Sequence, residues 1–322
     1  MERLLSLRPQ VEEYIQSYLS SNGGRIYEPV EYIMSLGGKR IRPCILLGVA
    51  QGLGVQVKEA LPLAAAIEVF HNFTLLHDDI MDEAETRRGR PAVHVKWNRD
   101  QAILSGDVMF AMSYELLMRS ESADIRQTHA LMSTTAKEVC IGQQMDMDFE
   151  LRDDVTEDQY LEMIRLKTSV LLGASAAMGA IAANSEEECV DALYRFGQNI
   201  GLSFQIQDDI LDAFGNSGSV GKRIGGDILN NKKTLLFIRA LKMTNDVGRN
   251  ELNKWSSVTS ESEEKIEIVK SIIKDSGALD SVRSTQEHYL REALNALDES
   301  GLKGEWYDEL RSLSEYQLAR QS

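Results

Sequence analysis

Apolar residues recur every three to four positions along almost the whole chain, the spacing that gathers them on one face of an α-helix. The recurrence predicts helices near residues 4–20, 26–36, 43–52, 59–83, 98–119, 124–150, 157–183, 187–213, 232–242, 261–274, 278–298 and 302–319. No stretch alternates apolar and polar residues for long enough to predict a sheet. Breaks fall at Asn22-Gly23-Gly24, Gly37-Gly38, Gly52-Leu53-Gly54, Gly89-Arg90-Pro91 and Gly215-Asn216-Ser217-Gly218, where glycine and proline interrupt the pattern. All five prolines lie at or before Pro91, so the rest of the chain can sustain long uninterrupted helices. No break has the length or bias of an interdomain linker, and no fixed-period repeat is present. The pattern therefore predicts an all-α bundle, with residues 1–322 as a single domain.

Composition narrows the function classes. The 322 residues are 43% apolar, ample for one large core, and carry a net charge of −15. Phosphate-backbone binding needs a basic surface, so a nucleic-acid partner is not expected. Cys44, Cys140 and Cys189 form no CxxC pair, which fits buried thiols in a reducing compartment better than disulfides or zinc. The N-terminus lacks an apolar signal core, and the most apolar window, 170–183, is short for a bilayer span. A soluble cytoplasmic protein is the expectation.

The chemistry-bearing pattern is acidic and occurs twice. Residues 71–83 read HNFTLLHDDIMDE, and residues 208–212, DDILD, repeat the spacing of residues 78–82. Within a helix Asp78 and Asp82 share a face while Asp79 turns about 100° away. Aspartates at this spacing repel one another, so a cation should lie over that face. Each copy ends an apolar helical run, and two such helices can face one another inside a bundle. Magnesium is the natural occupant, because one or two carboxylates hold it while water and substrate phosphates complete its shell. Zinc and calcium want other ligand sets.

Cations cluster nearby. Gly37-Gly38-Lys39-Arg40-Ile41-Arg42-Pro43 places them behind a glycine pair, and Arg87-Arg88 follows the first acidic motif. Lys167-Thr168 lies on a mid-chain helix, while Lys222 and Lys232 flank Gly225-Gly226-Asp227 after the second motif. Four basic clusters in a strongly acidic chain suggest two polyphosphates beside a magnesium cluster.

With these residues in order, GGKRIRP at 37–43, HNFTLLHDDIMDEAETRRGRP at 71–91, GQQMD at 142–146, KT at 167–168, FQIQDDILD at 204–212 and GKRIGGDILNNKKT at 221–234, the chain resembles the trans-isoprenyl diphosphate synthases, the polyprenyl synthetase family. The resemblance implies a bundle around a central cavity. It also implies ionisation of an allylic diphosphate, attack by the double bond of isopentenyl diphosphate, and proton loss, with no enzyme nucleophile. It further implies that Asp78, Asp82 and Asp208 hold magnesium, with Asp79, Asp209 and Asp212 as outer or partial ligands. Three ions are expected with the allylic substrate bound, and manganese can substitute. Arg87, Lys167, Lys222 and Lys232 would hold the allylic diphosphate, and Lys39, Arg42, His71 and Arg88 the isopentenyl diphosphate. Thr168 and Gln205 would lie near the cationic carbons, with Gln143 and Asp146 in support. A homodimer is also implied.

The growing tail would run back along the first acidic helix, past Thr74, Phe73 and Phe70. Phe73 is about 7.5 Å along the axis from Asp78, so its ring should stop a short tail. One bulky residue beside a small threonine, with no insertion inside the motif, resembles the geranylgeranyl type (C20), with the farnesyl type (C15) as the alternative. A terpene cyclase would usually lack the second DDxxD, and a non-catalytic partner subunit would be expected to lose one.

Overall fold

The computed structural model describes residues 1–121, 123–215, 225–256, 258 and 262–319. In chain order the helices are α1 (Glu2–Leu5), α2 (Arg8–Ser20), α3 (Glu28–Ser35), α4 (Ile41–Gly52) and α5 (Val57–Met81). A small antiparallel pair, β1 (Thr86–Arg87) and β2 (Arg90–Pro91), follows. Next come α6 (Val93–Lys96), α7 (Arg99–Leu117), α8 (Ile125–Glu150) and α9 (Glu157–Ile164), a π-helical turn (Arg165–Ser169), α10 (Val170–Ala182) and α11 (Glu187–Phe214). The chain continues with α12 (Gly226–Leu229), α13 (Leu235–Met243), α14 (Asp246–Ser256), α15 (Glu263–Asp275), α16 (Ala278–Glu299) and α17 (Glu305–Ala319).

The all-α expectation holds, with local differences. The predicted helix 4–20 is broken after α1, and the predicted helix 157–183 is interrupted by the π turn. Helix α14 lies outside the predicted helices: it is mostly polar, and Leu252 is its one fully buried residue. The β pair went unread because two residues per strand cannot display alternation.

Contacts divide the chain into two compact units: residues 1–135, 171–194 and 297–312, and residues 136–170, 195–296 and 313–322. In the first unit α5 packs against α2, α4 and α7. Its middle, from Leu63 to Phe70, is buried on every side, as expected of a helix apolar all round. Backbone approaches are close here: a Cβ at Gly179 would lie 2.6 Å from Leu46 O. In the second unit Phe149, Tyr160 and Met163 join Leu202, Ile206, Leu235 and Ile273 in one apolar cluster. Each fully buried side chain of this size contributes about 1.5–3 kcal/mol. Thr156 and Gln159 cap the start of α9 reciprocally.

Cys44 is buried and Cys189 half-buried, but Cys140 is exposed, correcting the expectation of three buried thiols; it lies on the outer face of α8 beside exposed Ile141. Among the described residues one helical run, Glu157–Ala182, is long and apolar enough to cross a membrane, and 83% of its apolar window is buried in the protein. Its apolar character is thus spent on the core.

Candidate active site

In the first unit the acidic motif lies where α5 ends. Asp82 caps the helix, its N–H donating to Asp78 O at 2.8 Å, and Ala84 N–H then donates to Asp79 O at 2.9 Å. Asp78 is half-buried and Asp82 exposed, whereas Asp79 is only 2% exposed. Arg87 accounts for that burial: its Nε donates to the two Asp79 carboxylate oxygens at 3.1 and 2.9 Å, and Nη2 donates at 2.5 Å. Burial disfavours the Arg87 charge, but Asp79, Asp78 and Asp82 outweigh it and leave the guanidinium pKa above its ordinary value.

The turn between β1 and β2 holds Arg88 and Gly89, with φ of 54° and 73°. Positive φ at both central residues is the type I′ geometry that matches hairpin twist. It sends the two arginines apart. Arg87 returns to α5, while Arg88 Nη1 donates to Gly37 O and its guanidinium covers Gly38, where a Cβ would lie 2.9 Å from Nη2. Gly38, at φ 132°, combines a backbone that side chains rarely adopt with no room for one.

The run Lys39-Arg40-Ile41-Arg42 also divides. Arg40, 4% exposed, donates to Glu68 and to Met34 O at 2.6 Å each and serves the core. Lys39 remains exposed and Arg42 half-buried. Arg42 Nη1 donates to His71 Nε2 at 3.2 Å, while Arg42 Nε is buried without a protein partner. Burial, then the neighbouring Arg42, Arg88, Arg87 and Arg40, hold the His71 pKa well below its ordinary value, so the imidazole is neutral. Burial likewise brings Arg42 down to about 10. An orphaned guanidinium nitrogen beside a neutral imidazole suits a polyanion.

In the second unit a cavity of about 120 Å³ is bounded by α8, α9, the π turn, α11 and the segment after α12. Lys167 Nζ donates to Asp146 Oδ2 at 2.5 Å, and Lys232 Nζ lies 3.8 Å from the same oxygen. Burial pushes the Asp146 carboxyl up, but the two lysines outweigh it and hold it below its ordinary value. Across the cavity Thr168 Oγ1 donates to Gln205 Oε1 at 3.2 Å, and Gln205 Nε2 donates to Asp209 Oδ1 at 3.1 Å. The Tyr160 hydroxyl donates to Asp209 Oδ2. Burial and nearby Asp227 push the Asp209 carboxyl up, against the hydrogen bonds from Tyr160 and Gln205. Gln143 is buried with both amide atoms unpartnered.

The two acidic motifs are thus built alike within their own units. The middle aspartate, Asp79 or Asp209, is buried and occupied by side-chain donors, while Asp78 and Asp82, or Asp208 and Asp212, are less buried. Asp212 Oδ2 also accepts Asp227 N–H at 2.9 Å, tying α11 to α12. The outer carboxylates fit a hard divalent cation, being oxygen donors without competing histidine or thiolate. Among the described residues no three His, Cys, Asp or Glu side chains converge as a ready metal site. Such an ion would therefore draw further ligands from water or phosphate oxygens. Lys222 lies outside the described residues.

Along α5, Phe70 is fully buried and Phe73 half-buried, with ring centroids 5.5 Å apart. Thr74 Oγ1 donates to His71 O at 2.8 Å. Phe73 also meets Phe110 of α7 at 5.4 Å and His77 at 4.8 Å, and Phe110 meets Tyr114 at 5.2 Å. Sequence reasoning missed Phe110, Tyr114 and Tyr160. Phe110 and Tyr114 are i, i+4 on one helix face, and Tyr160 is about two turns before Lys167, signals of spacing that could have found them.

Comparison with known proteins agrees. The polyprenyl synthetase family model matches residues 24–275. A geranylgeranyl diphosphate synthase of Methanosarcina mazei is 39% identical over 275 residues, 85% of this chain and 83% of that protein. A geranylfarnesyl diphosphate synthase of Natronomonas pharaonis is 38% identical over 280 residues, 80% of each chain. A crystal structure of a geranylgeranyl pyrophosphate synthase superposes with a TM-score of 0.93 at 42% identity, covering 99% of both chains. The motif order, the helical fold and these matches agree that the chain belongs to the polyprenyl synthetase family.

Proposed function

We propose that this chain is a magnesium-dependent short-chain prenyltransferase. It condenses isopentenyl diphosphate with allylic diphosphates in trans, and its main product is geranylgeranyl diphosphate. The observation that carries the reading is the second unit's cavity, where Lys167 and Lys232 meet at Asp146 on one side and Thr168 meets Gln205 on the other. Cations for a departing diphosphate and oxygen dipoles for a cationic carbon thus border one small space.

The allylic carbon–oxygen bond breaks and diphosphate departs with the electron pair; the isopentenyl double bond attacks the allylic cation; a proton is then lost to the released diphosphate. When bound, Mg2+ would supply charge neutralisation on the leaving group; the residues that would hold it are Asp78 and Asp82 in the first unit and Asp208 in the second. Lys167 and Lys232 bind the allylic diphosphate, and Arg87 and Lys222 are assigned to the same group. Asp146 holds the two ammonium groups in place, the preorganisation that makes such groups effective. Asp209 and Tyr160 hold the Gln205 amide with Nε2 inward, leaving Oε1 directed at Thr168. Neutral His71, with Lys39, Arg42 and Arg88, binds isopentenyl diphosphate. Asp79 and Asp209 support their motifs through Arg87 and Tyr160. Gln143 supports the lysine side of the cavity. Phe73, backed by Phe70 and beside Thr74, stops the tail; the similarity to geranylgeranyl synthases supports C20, with C15 as the alternative length. We take residues 1–322 as one synthase domain of a cytoplasmic homodimer.

The deciding experiment incubates purified protein with Mg2+, isopentenyl diphosphate and allylic primers of increasing length. Diphosphate release with a C20 prenyl product supports the proposal. No release with any primer overturns the activity, and a C15 end product overturns the assigned length.

A further inference from the structure

The π turn Arg165–Ser169 carries both Lys167 and Thr168 and is held by features that the reaction does not explain. Its i→i−5 bonding is explicit: Val170 N–H donates to Arg165 O, and the buried Ser169 hydroxyl donates to Ile164 O at 3.3 Å. Such one-turn insertions cost hydrogen-bond quality and recur at functional sites. Two glycines flank this one. A Cβ at Gly142 on α8 would lie 2.3 Å from the Lys167 backbone nitrogen and 2.8 Å from Leu166 C. A Cβ at Gly201 on α11 would lie 2.6 Å from Ser169 Cα and 2.8 Å from its Cβ. Only a residue without a side chain permits either approach.

The register of the two glycines matches the chemistry. Asp146, the partner of Lys167, follows Gly142 by four residues, and Gln205, the partner of Thr168, follows Gly201 by four. Residues four apart share a helix face, so each glycine receives the turn's backbone one helical turn before the side chain that receives its functional group. In an uninterrupted α-helix consecutive residues point about 100° apart, yet here Lys167 and Thr168 both reach one cavity. We propose that Gly142 and Gly201 are positioning residues: they clamp the π turn between α8 and α11 so that Lys167 meets Asp146 and Thr168 meets Gln205. Ser169 adds a further tie across the widened turn, its hydroxyl donating to Ile164 O.

The inference rests on the reading that Lys167 and Thr168 serve prenyl transfer, and its test keeps the two apart. Gly142→Ala and Gly201→Ala are measured for kcat per folded molecule, with Gly179→Ala as a steric control whose added Cβ would meet Leu46 O. Displacement of a catalytic group by about 1 Å can cost about 10²-fold, so each clamp variant is expected to lose at least about tenfold in kcat. Gly179→Ala is expected to lose stability alone. In a Lys167→Met background the further loss from Gly142→Ala is expected to fall below about twofold, and likewise Gly201→Ala in Thr168→Val, because effects acting through one group do not add. A crystal structure of Gly142→Ala is expected to show Lys167 Nζ out of hydrogen-bond range of Asp146. If the alanine variants leave no folded protein, Ser169→Ala carries the same kinetic test, with a loss of at least about threefold that vanishes in the Thr168→Val background. Normal kcat per folded molecule, undiminished loss in the double variants, or a retained Lys167–Asp146 pair overturns the proposal. Unaltered turnover in Lys167→Met would instead overturn the functional reading, leaving the structural clamp to the crystallographic result.

Discussion

Asp146→Asn keeps the shape of the side chain and removes the charge that holds two lysines. At an effective dielectric near 20, a unit pair at 3.8 Å, the Lys232 distance, attracts by about 4 kcal/mol before desolvation. Breaking a fully buried pair costs about 3–5 kcal/mol and an exposed one at most about 1 kcal/mol. The side chains of Asp146, Lys167 and Lys232 are 14%, 23% and 31% exposed, so an intermediate loss of about 2 kcal/mol follows, measurable by urea denaturation at pH 7. The sign with pH is fixed. The Asp146 carboxyl is held below its ordinary value in the folded protein, so the stabilisation is complete above the unfolded pKa of about 3.9 and is lost as pH falls through the folded value. Parent and variant should therefore converge in acid. Inorganic diphosphate can replace the missing counter-charge, so it should raise the variant's melting temperature more than the parent's, ligand linkage growing with affinity. A stability loss under about 0.5 kcal/mol at pH 7, or a smaller diphosphate shift in the variant, would refute the view that Asp146 organises these lysines for a diphosphate.

Replacing Phe73 with alanine opens the end of the aromatic cluster, and the main product by chromatography should be at least one five-carbon unit longer; an unchanged product removes Phe73 as the stop. Asp78→Ala and Asp208→Ala should each lower turnover by at least about 10²-fold, the scale of losing one transition-state stabiliser, and near-normal rates in either would refute its role. Arg40→Met should cost about 3–5 kcal/mol by breaking the buried pair with Glu68, while Lys39→Met should leave stability within about 0.5 kcal/mol and raise KM for isopentenyl diphosphate. The reverse ranking in denaturation and kinetics would show the two roles exchanged. The His71 pKa is depressed in the folded state, so parent stability should fall as pH drops below about 6.5, with a slope of up to about 1.4 kcal/mol per pH unit. His71→Asn should lack that slope, and an identical pH profile would refute it.

What the sequence disclosed and what it concealed follow from the range of the interactions. Helices α5, α8 and α11 and both acidic motifs were legible because their signals lie within one turn of their own residues. The division of labour within each motif was not. Asp79 differs from Asp78 through Arg87, which returns to it from the strand after α5, and Asp209 differs from Asp208 through Tyr160 on another helix. Lys39, Arg40 and Arg42 read as one basic run, yet only the fold brings Glu68 to Arg40 and His71 to Arg42.

The π turn was the least legible feature. Apolar residues before and after it satisfy a helical period, so one additional residue in a turn leaves no gap in the pattern. The trace that remained was a pair of glycines in helices that had no evident need of them. Glycine costs about 1 kcal/mol relative to alanine inside a helix, so Gly142 and Gly201 are unfavourable for α8 and α11 taken alone. They become intelligible only where another backbone passes within reach, and that backbone carries Lys167 and Thr168. A local disadvantage four residues before a charged or amide partner is therefore a sequence sign of a neighbouring segment being positioned, and it is the kind of sign that helical periodicity averages away.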